Sequence, residues 1–185
     1  MPTRARLEIK CGLLNEFMKL KINYSKSVKE LIKAGNYSYT NSDITSDSFP
    51  SKEKGTVNLE AILFKPRAYS SFEGILKGLE AKGLRAGTLK ELLEFGIEYP
   101  KGQSKYPIVA VGSVWRDPDD RRSVPCLWSG VSERGLDLRW FADGWRRYYR
   151  FLAFRKSGNE VNQGTTVTHE HYFKLVCSCG ETKIL

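Results

Sequence analysis

The stretch RGLDLRWFADGWRRYYRFLAFRK, residues 134–156, interleaves two sets of residues. Leu136, Leu138, Trp140, Phe141, Trp145, Tyr149, Phe151 and Leu152 have the character of a protein core. The positions between them, Gly135, Asp137, Arg139, Ala142, Gly144, Arg146, Arg147 and Tyr148, share no chemistry. Successive side chains of an extended strand point to opposite faces, so GLDLRW sets Leu136, Leu138 and Trp140 on one face and Gly135, Asp137 and Arg139 on the other. The first face is expected to be core, the second to meet solvent or a ligand. All four tryptophans (Trp115, Trp128, Trp140, Trp145) fall between residues 115 and 145, within or just before this stretch. Such large rings suit fixed points of a scaffold.

Upstream, TVNLEAILFKP reads as a strand stopped by Pro66. A helix should follow, because Ser70 and Glu73 have capping-box spacing and Phe72, Ile75, Leu76 and Leu79 form one stripe, with Gly83 as its stop. Thr88 and Glu91 repeat the box before TLKELLEFG, and YPIVAVGSVW reads as a buried strand. Residues 36–55 are polar and turn-rich, a loop around a short strand. Residues 1–27 carry GLLNEFMKLKI, with Leu13, Leu14, Phe17, Met18 and Leu20 near helical spacing, and are expected to pack on the domain as a strand or a helix. The order of strand, two helices and a strand-rich half gives an α+β fold, with two helices on short antiparallel sheets. Neither a dinucleotide nor a P-loop glycine pattern occurs.

Between Ser113 and Arg155 lie nine of the thirteen arginines and none of the seventeen lysines of the chain, and glutamine and methionine are missing there as well. Arginine is favoured at planar and interface contacts, which explains part of the bias. It does not explain why Gly, Ala, Ser, Asp and Tyr occupy equivalent positions.

The segment 112–156, GSVWRDPDDRRSVPCLWSGVSERGLDLRWFADGWRRYYRFLAFRK, resembles the variable region of the target proteins of diversity-generating retroelements, a family of phage, bacterial and archaeal proteins with a C-type lectin fold. Residues 56–96 are similar to the strand and helices preceding that region, so the likeness covers about half of the chain. In that family a fixed frame alternates with codons randomised through template adenines. Randomised AAC or AAT codons cannot give Lys, Gln, Glu, Met or Trp, which matches the gaps here.

The resemblance implies a C-type lectin-like domain of the formylglycine-generating-enzyme type over residues 28–158, with a variable region about 113–156. It implies a frame of Trp115, Arg122, Val124, Pro125, Leu127, Trp128, Arg134, Leu136, Leu138, Trp140, Phe141, Trp145, Tyr149, Arg150, Phe151 and Leu152. The implied variable, ligand-contacting positions are Arg121, Ser123, Cys126, Ser129, Gly130, Val131, Gly135, Asp137, Arg139, Ala142, Gly144, Arg146, Arg147 and Tyr148, with Asp117, Asp119 and Asp120 as further candidates. Glu133 and Trp128 cannot arise from an asparagine codon of this kind and go with the frame. The implied function is non-enzymatic: binding a protein or surface receptor through a hypervariable face, without a cofactor, as a monomer unless a larger assembly carries it.

Other readings stand beside this one. The net charge of +9 admits an acidic partner, and RRYYR (146–150) combines arginines with rings able to stack on bases, so a nucleic-acid-binding domain is the alternative. Residues 159–185 are expected to add a strand, although His169, His171, Cys177 and Cys179 are of types that bind zinc. Glu133, Asp137 and Asp143 form no recognisable acid–base pair with a nucleophile. Without a signal peptide or an apolar run of about 20 residues, the chain is expected to be cytoplasmic or virion-associated, and not inserted in a membrane.

Overall fold

A computed structural model describes residues 17–66 and 69–156. The residues form a mixed α/β structure of three helices on one many-stranded sheet. The strands are β1 (Met18–Asn23), β2 (Tyr39–Thr40), β3 (Thr56–Phe64), β4 (Leu84–Ala86), β5 (Ile108–Val109), β6 (Trp115–Arg116), β7 (Arg122–Ser129), β8 (Arg134–Trp140) and β9 (Arg150–Arg155). Their order is β1-β3-β9-β5-β7-β8-β2, with β4 also beside β9 and β6 beside β7. Pairing is antiparallel except for β5 with β9 and β2 with β8. A single mostly antiparallel sheet therefore replaces the separate short sheets expected from the sequence.

The helices are α1 (Val28–Gly35), α2 (Phe72–Glu80) and α3 (Leu89–Glu98). Two were expected. The additional α1 starts with a capping box, in which Glu30 N donates to Ser27 Oγ at 3.2 Å and Ser27 N donates to Glu30 Oε2 at 2.7 Å. In α2 the cap is Ser71 rather than Ser70, its Oγ accepting from Gly74 N at 3.1 Å. Ser70 instead bridges to Trp145 through a pair of backbone bonds. The box of α3 stands where Thr88 and Glu91 place it, with Thr88 N donating to Glu91 Oε2 at 2.7 Å.

Two cores sandwich the sheet. Against α1 and α3 lie Leu20, Ile22, Ile108, Leu127, Leu136, Leu152 and Phe154, packed on Leu31, Leu92, Leu93 and Phe95. On the opposite face Ile62, Phe64, Val109, Val124, Cys126, Phe151 and Ala153 meet Phe72, Ile75 and Leu79 of α2, together with Phe141 and Trp145. Strands β5, β7 and β9 are thus buried on both faces, which is why IV, SVPCL and RFLA are continuous runs without polar alternation. At the sheet edge, β1 does alternate: Leu20 and Ile22 are buried while Lys19 and Lys21 are exposed, so the described end of the near-helical pattern, Met18 and Leu20, is a strand, and Leu13 and Leu14 lie outside the described residues.

The tryptophans separate into two kinds. Trp145 is fully buried, edge-on to Tyr149 at 5.1 Å and to Phe151 at 5.4 Å. Trp140 lies at the end of β8, 54% exposed, with the Arg121 guanidinium over its ring at 5.3 Å. This corrects its assignment to the core: the face shared with Leu136 runs past the edge of the packed layer. Arg122, also expected in the frame, is exposed and lies over the Phe141 ring at 3.9 Å. Trp145→Ala is expected to cost about 3–5 kcal/mol in urea denaturation, and Trp140→Ala below about 1 kcal/mol; equal costs would show that the layer extends over Trp140.

Candidate ligand-binding face

The hairpin of β7 and β8 runs in unbroken register from Ser123↔Trp140 to Ser129↔Arg134. Its inner face carries Leu127 and Leu136 into the first core. Its other face is a stripe of rungs: Trp128 with Gly135, Cys126 with Asp137, and Val124 with Arg139. Val124 and Cys126 form the buried half of this stripe, while Asp137 and Arg139 are half-exposed. Gly135, Asp137 and Arg139 thus share a side, spanning about 13 Å of strand.

An aromatic pair stands at each end. Tyr39 of β2 faces Gly135 in register, and its ring lies 6.2 Å from Trp128. At the far end Tyr148 stacks on Tyr149 at 4.4 Å, with Tyr148 51% exposed and Tyr149 half-buried. Burial and the neighbouring Tyr148 hydroxyl raise the Tyr149 phenol well above its ordinary range, although Arg139 opposes the shift. Tyr69, also exposed, lies in the space a side chain at Gly144 would take. Between the pairs, the Asp137 carboxylate accepts from Asn41 Nδ2 at 3.0 Å and from its own strand at Leu138 N, 2.8 Å. Arg139, Arg146 and Arg147 have no ion pair among the described residues, whereas Arg121 is held by Asp117 at 2.6 Å and by Asp119 at 2.9 Å.

Of the positions expected to contact a ligand, Arg121, Gly130, Val131, Ala142, Arg146, Arg147 and Tyr148 are exposed. Ser129, Asp137, Arg139 and Gly144 are half-buried. Three are corrected. Ser123 and Cys126 are buried, because β7 is covered on both sides, and Gly135 is buried beneath the Trp128 indole. The exposed set is also divided: Gly130 and Val131 occupy the turn at one end of the hairpin, about 20 Å by strand rise from Trp140 and Ala142 at the other. Tyr39, Asn41 and Tyr69 belong to the face and escaped the sequence reading, because each comes from a polar loop distant in the chain.

The expected frame residues Trp115, Trp128, Arg134, Leu138 and Tyr149 are half-buried, and Pro125, Leu136, Phe141 and Phe151 buried. The RRYYR run is divided as well. Arg150 is buried, its Nη1 donating to the Arg147 and Tyr149 carbonyls at 2.9 and 2.8 Å beneath the ring of Tyr106. The deepest carboxylate outside the face, Glu91, is fully engaged by Arg85 at 2.7 and 3.1 Å, Thr88 N and the Tyr24 hydroxyl. It is a structural ion pair with no acceptor site to spare. Among the described residues no group of three His, Cys, Asp or Glu is placed to hold a metal, and no helix is long and apolar enough to cross a membrane. His169, His171, Cys177, Cys179 and the strand expected within 159–185 lie outside the described residues.

Burial pushes the Cys126 thiol up to about 12, only partly opposed by the adjacent Arg139. Iodoacetamide at pH 8 is expected to leave Cys126 unmodified in the folded protein and to alkylate it in guanidinium, as read by peptide mass spectrometry. Rapid native alkylation would mean that β7 opens.

Comparison of the chain with protein-family models, with curated proteins and with solved structures returns no match.

Proposed function

We propose that this chain is a non-enzymatic binding protein of the kind diversified by retroelements, built on a C-type lectin-like scaffold. Its ligand-binding face is the stripe of β8 flanked by the Tyr39–Trp128 and Tyr148–Tyr149 pairs. The observation that carries the reading is the division of labour within β8. Leu136 is buried in the core of α1 and α3, while Asp137 and Arg139, its neighbours in sequence, stand half-exposed on the opposite side.

The chemistry of the face favours protein recognition. Tyr and Trp supply large contact areas at low entropic cost, and arginines free of internal carboxylates remain available to a partner. The backbone beneath is held by a seven-rung ladder and two cores, so little ordering entropy is lost on binding. Residues on such a surface can change with stability effects within about ±0.5 kcal/mol, whereas the buried frame cannot. Nucleic acid is the weaker partner, since Arg150 and half of Tyr149 are committed to the scaffold and the acids Asp137, Asp143 and Glu133 share the region.

Tyr148→Ala is expected to shift the melting temperature by no more than about 2 °C while weakening binding to a protein ligand selected against the wild-type domain. A large loss of stability would make the Tyr148 ring part of the core. The deciding experiment is sequencing of this gene and its flanking DNA across a natural population. Substitutions concentrated at the exposed and half-exposed positions, with a nearby near-copy bearing adenines there, are expected. Substitutions spread evenly along the gene, with no such copy, would overturn the proposal, and steep salt dependence of nucleic-acid binding would then support the alternative.

A further inference from the structure

Gly135 is a glycine whose backbone does not require one. Among the described residues, the glycines with positive φ are Gly55 and Gly83; Gly135 is an ordinary strand residue. What requires the missing side chain is Trp128. A Cβ at position 135 would overlap Trp128 Cε2, Nε1 and Cζ2, so that one of the two must move. Trp128, Gly135 and Tyr39 are consecutive partners on one rung across β7, β8 and β2, so the two rings close over the gap that the glycine leaves between them.

The backbone at this rung is pinned from behind. The buried Gln103 donates from Nε2 to both the Trp128 and the Gly135 carbonyls, and β8 is bonded to both neighbouring strands here. The indole, attached through two rotatable bonds and half-exposed, is the part free to yield. Its present position also leaves the Nε1 hydrogen buried with no partner among the described residues, so nothing specific holds it down. Gly130, in the adjoining turn, behaves differently: a Cβ there would meet Trp128 Cζ3 at 3.6 Å, an ordinary contact.

We infer that residue 135 is a specificity-determining position that acts through Trp128. With glycine, the indole lies flat over β8; with any side chain at 135, the indole lifts off the strand, exposes its N–H and becomes a projecting anchor beside Tyr39. One substitution thereby exchanges two surface features, the new side chain and a large aromatic ring. The consequence for binding rests on the function proposed above, but the movement of Trp128 does not and can be measured without a ligand.

The test is ¹⁹F NMR of the full chain labelled with 5-fluorotryptophan, which has four tryptophans and so four resonances. Trp128→Phe assigns the relevant one. Gly135→Ala and Gly135→Ser are expected to move that resonance and to increase its H2O/D2O isotope shift towards the fully exposed value, while Gly130→Ala, whose methyl group would rest beside the ring carbon that carries the fluorine, does not increase the isotope shift. An unmoved Trp128 resonance in folded Gly135→Ala would overturn the inference, because the strand would then have accommodated the methyl group. Should Gly135→Ala lower the melting temperature, the double variant Trp128→Ala/Gly135→Ala should melt with Trp128→Ala alone. A double variant that stays as destabilised as Gly135→Ala would place the clash in the backbone and overturn it equally.

Discussion

Arg134 joins the helical half of the molecule to the hairpin that carries the face. Its Nη1 donates to the Gly35 carbonyl at 2.8 Å, and its Nη2 to the Gly96 carbonyl at 2.7 Å and to Gln103 Oε1 at 3.2 Å. Gly35 ends α1 and Gly96 lies in the last turn of α3, so a single cation meets carbonyls that have no partner within their helices, at the negative ends of two helix dipoles. Its own backbone bonds Ser38 in both directions, placing β2 against β8. Gln103, oriented by the same guanidinium, then holds the carbonyls of Trp128 and Gly135. A fixed planar fork of donors can serve three acceptors in different elements, which a lysine ammonium on a flexible stem would do poorly. Arg134 thereby ties the first residue of β8 to both helices, while the seven pairs with β7 carry the register along the rest of the strand.

Burial on both faces explains why the frame is dense in places and loose in others. Where β5, β7 and β9 lie between the helix layers, neither side of the strand is free, and the alternation of buried and exposed residues breaks down. That is the fate of Ser123 and Cys126. β8 lies one strand nearer the edge, covered by α1 and α3 on one side only, and there the alternation holds at Asp137 and Arg139, while Gly135 is covered by the Trp128 ring.

These differences mark what could be read without coordinates. The strand ending before Pro66, the α3 capping box and the opposed sides of GLDLRW were legible, because each is decided by residues within one turn or one strand. The Ser27–Glu30 box of α1 was equally local and went unread, hidden by the polar stretch after it. The contrast between Trp140 and Trp145 was not legible at all: one sits at the end of a strand and the other inside a loop, and only the packing of Phe151 and Tyr149 around Trp145 distinguishes them. The contributions of Tyr39, Asn41 and Tyr69 depend on long-range pairing of the loops that carry them, which no periodicity reports.

Exposure alone does not decide which positions on such a face can vary independently. Gly130 and Gly135 both touch the Trp128 ring, yet an added methyl group would rest against it at the first and occupy its volume at the second. Gly144 stands in the same relation to Tyr69 as Gly135 does to Trp128, but Tyr69 is exposed and loses little packing by moving aside. The three glycines therefore grade from independent to strongly coupled, and what sets the grade is how much of the neighbouring ring is buried against the scaffold. On the proposed reading of this face, a substitution at such a glycine would change two surface features together, the side chain it adds and the ring that the glycine lets lie flat.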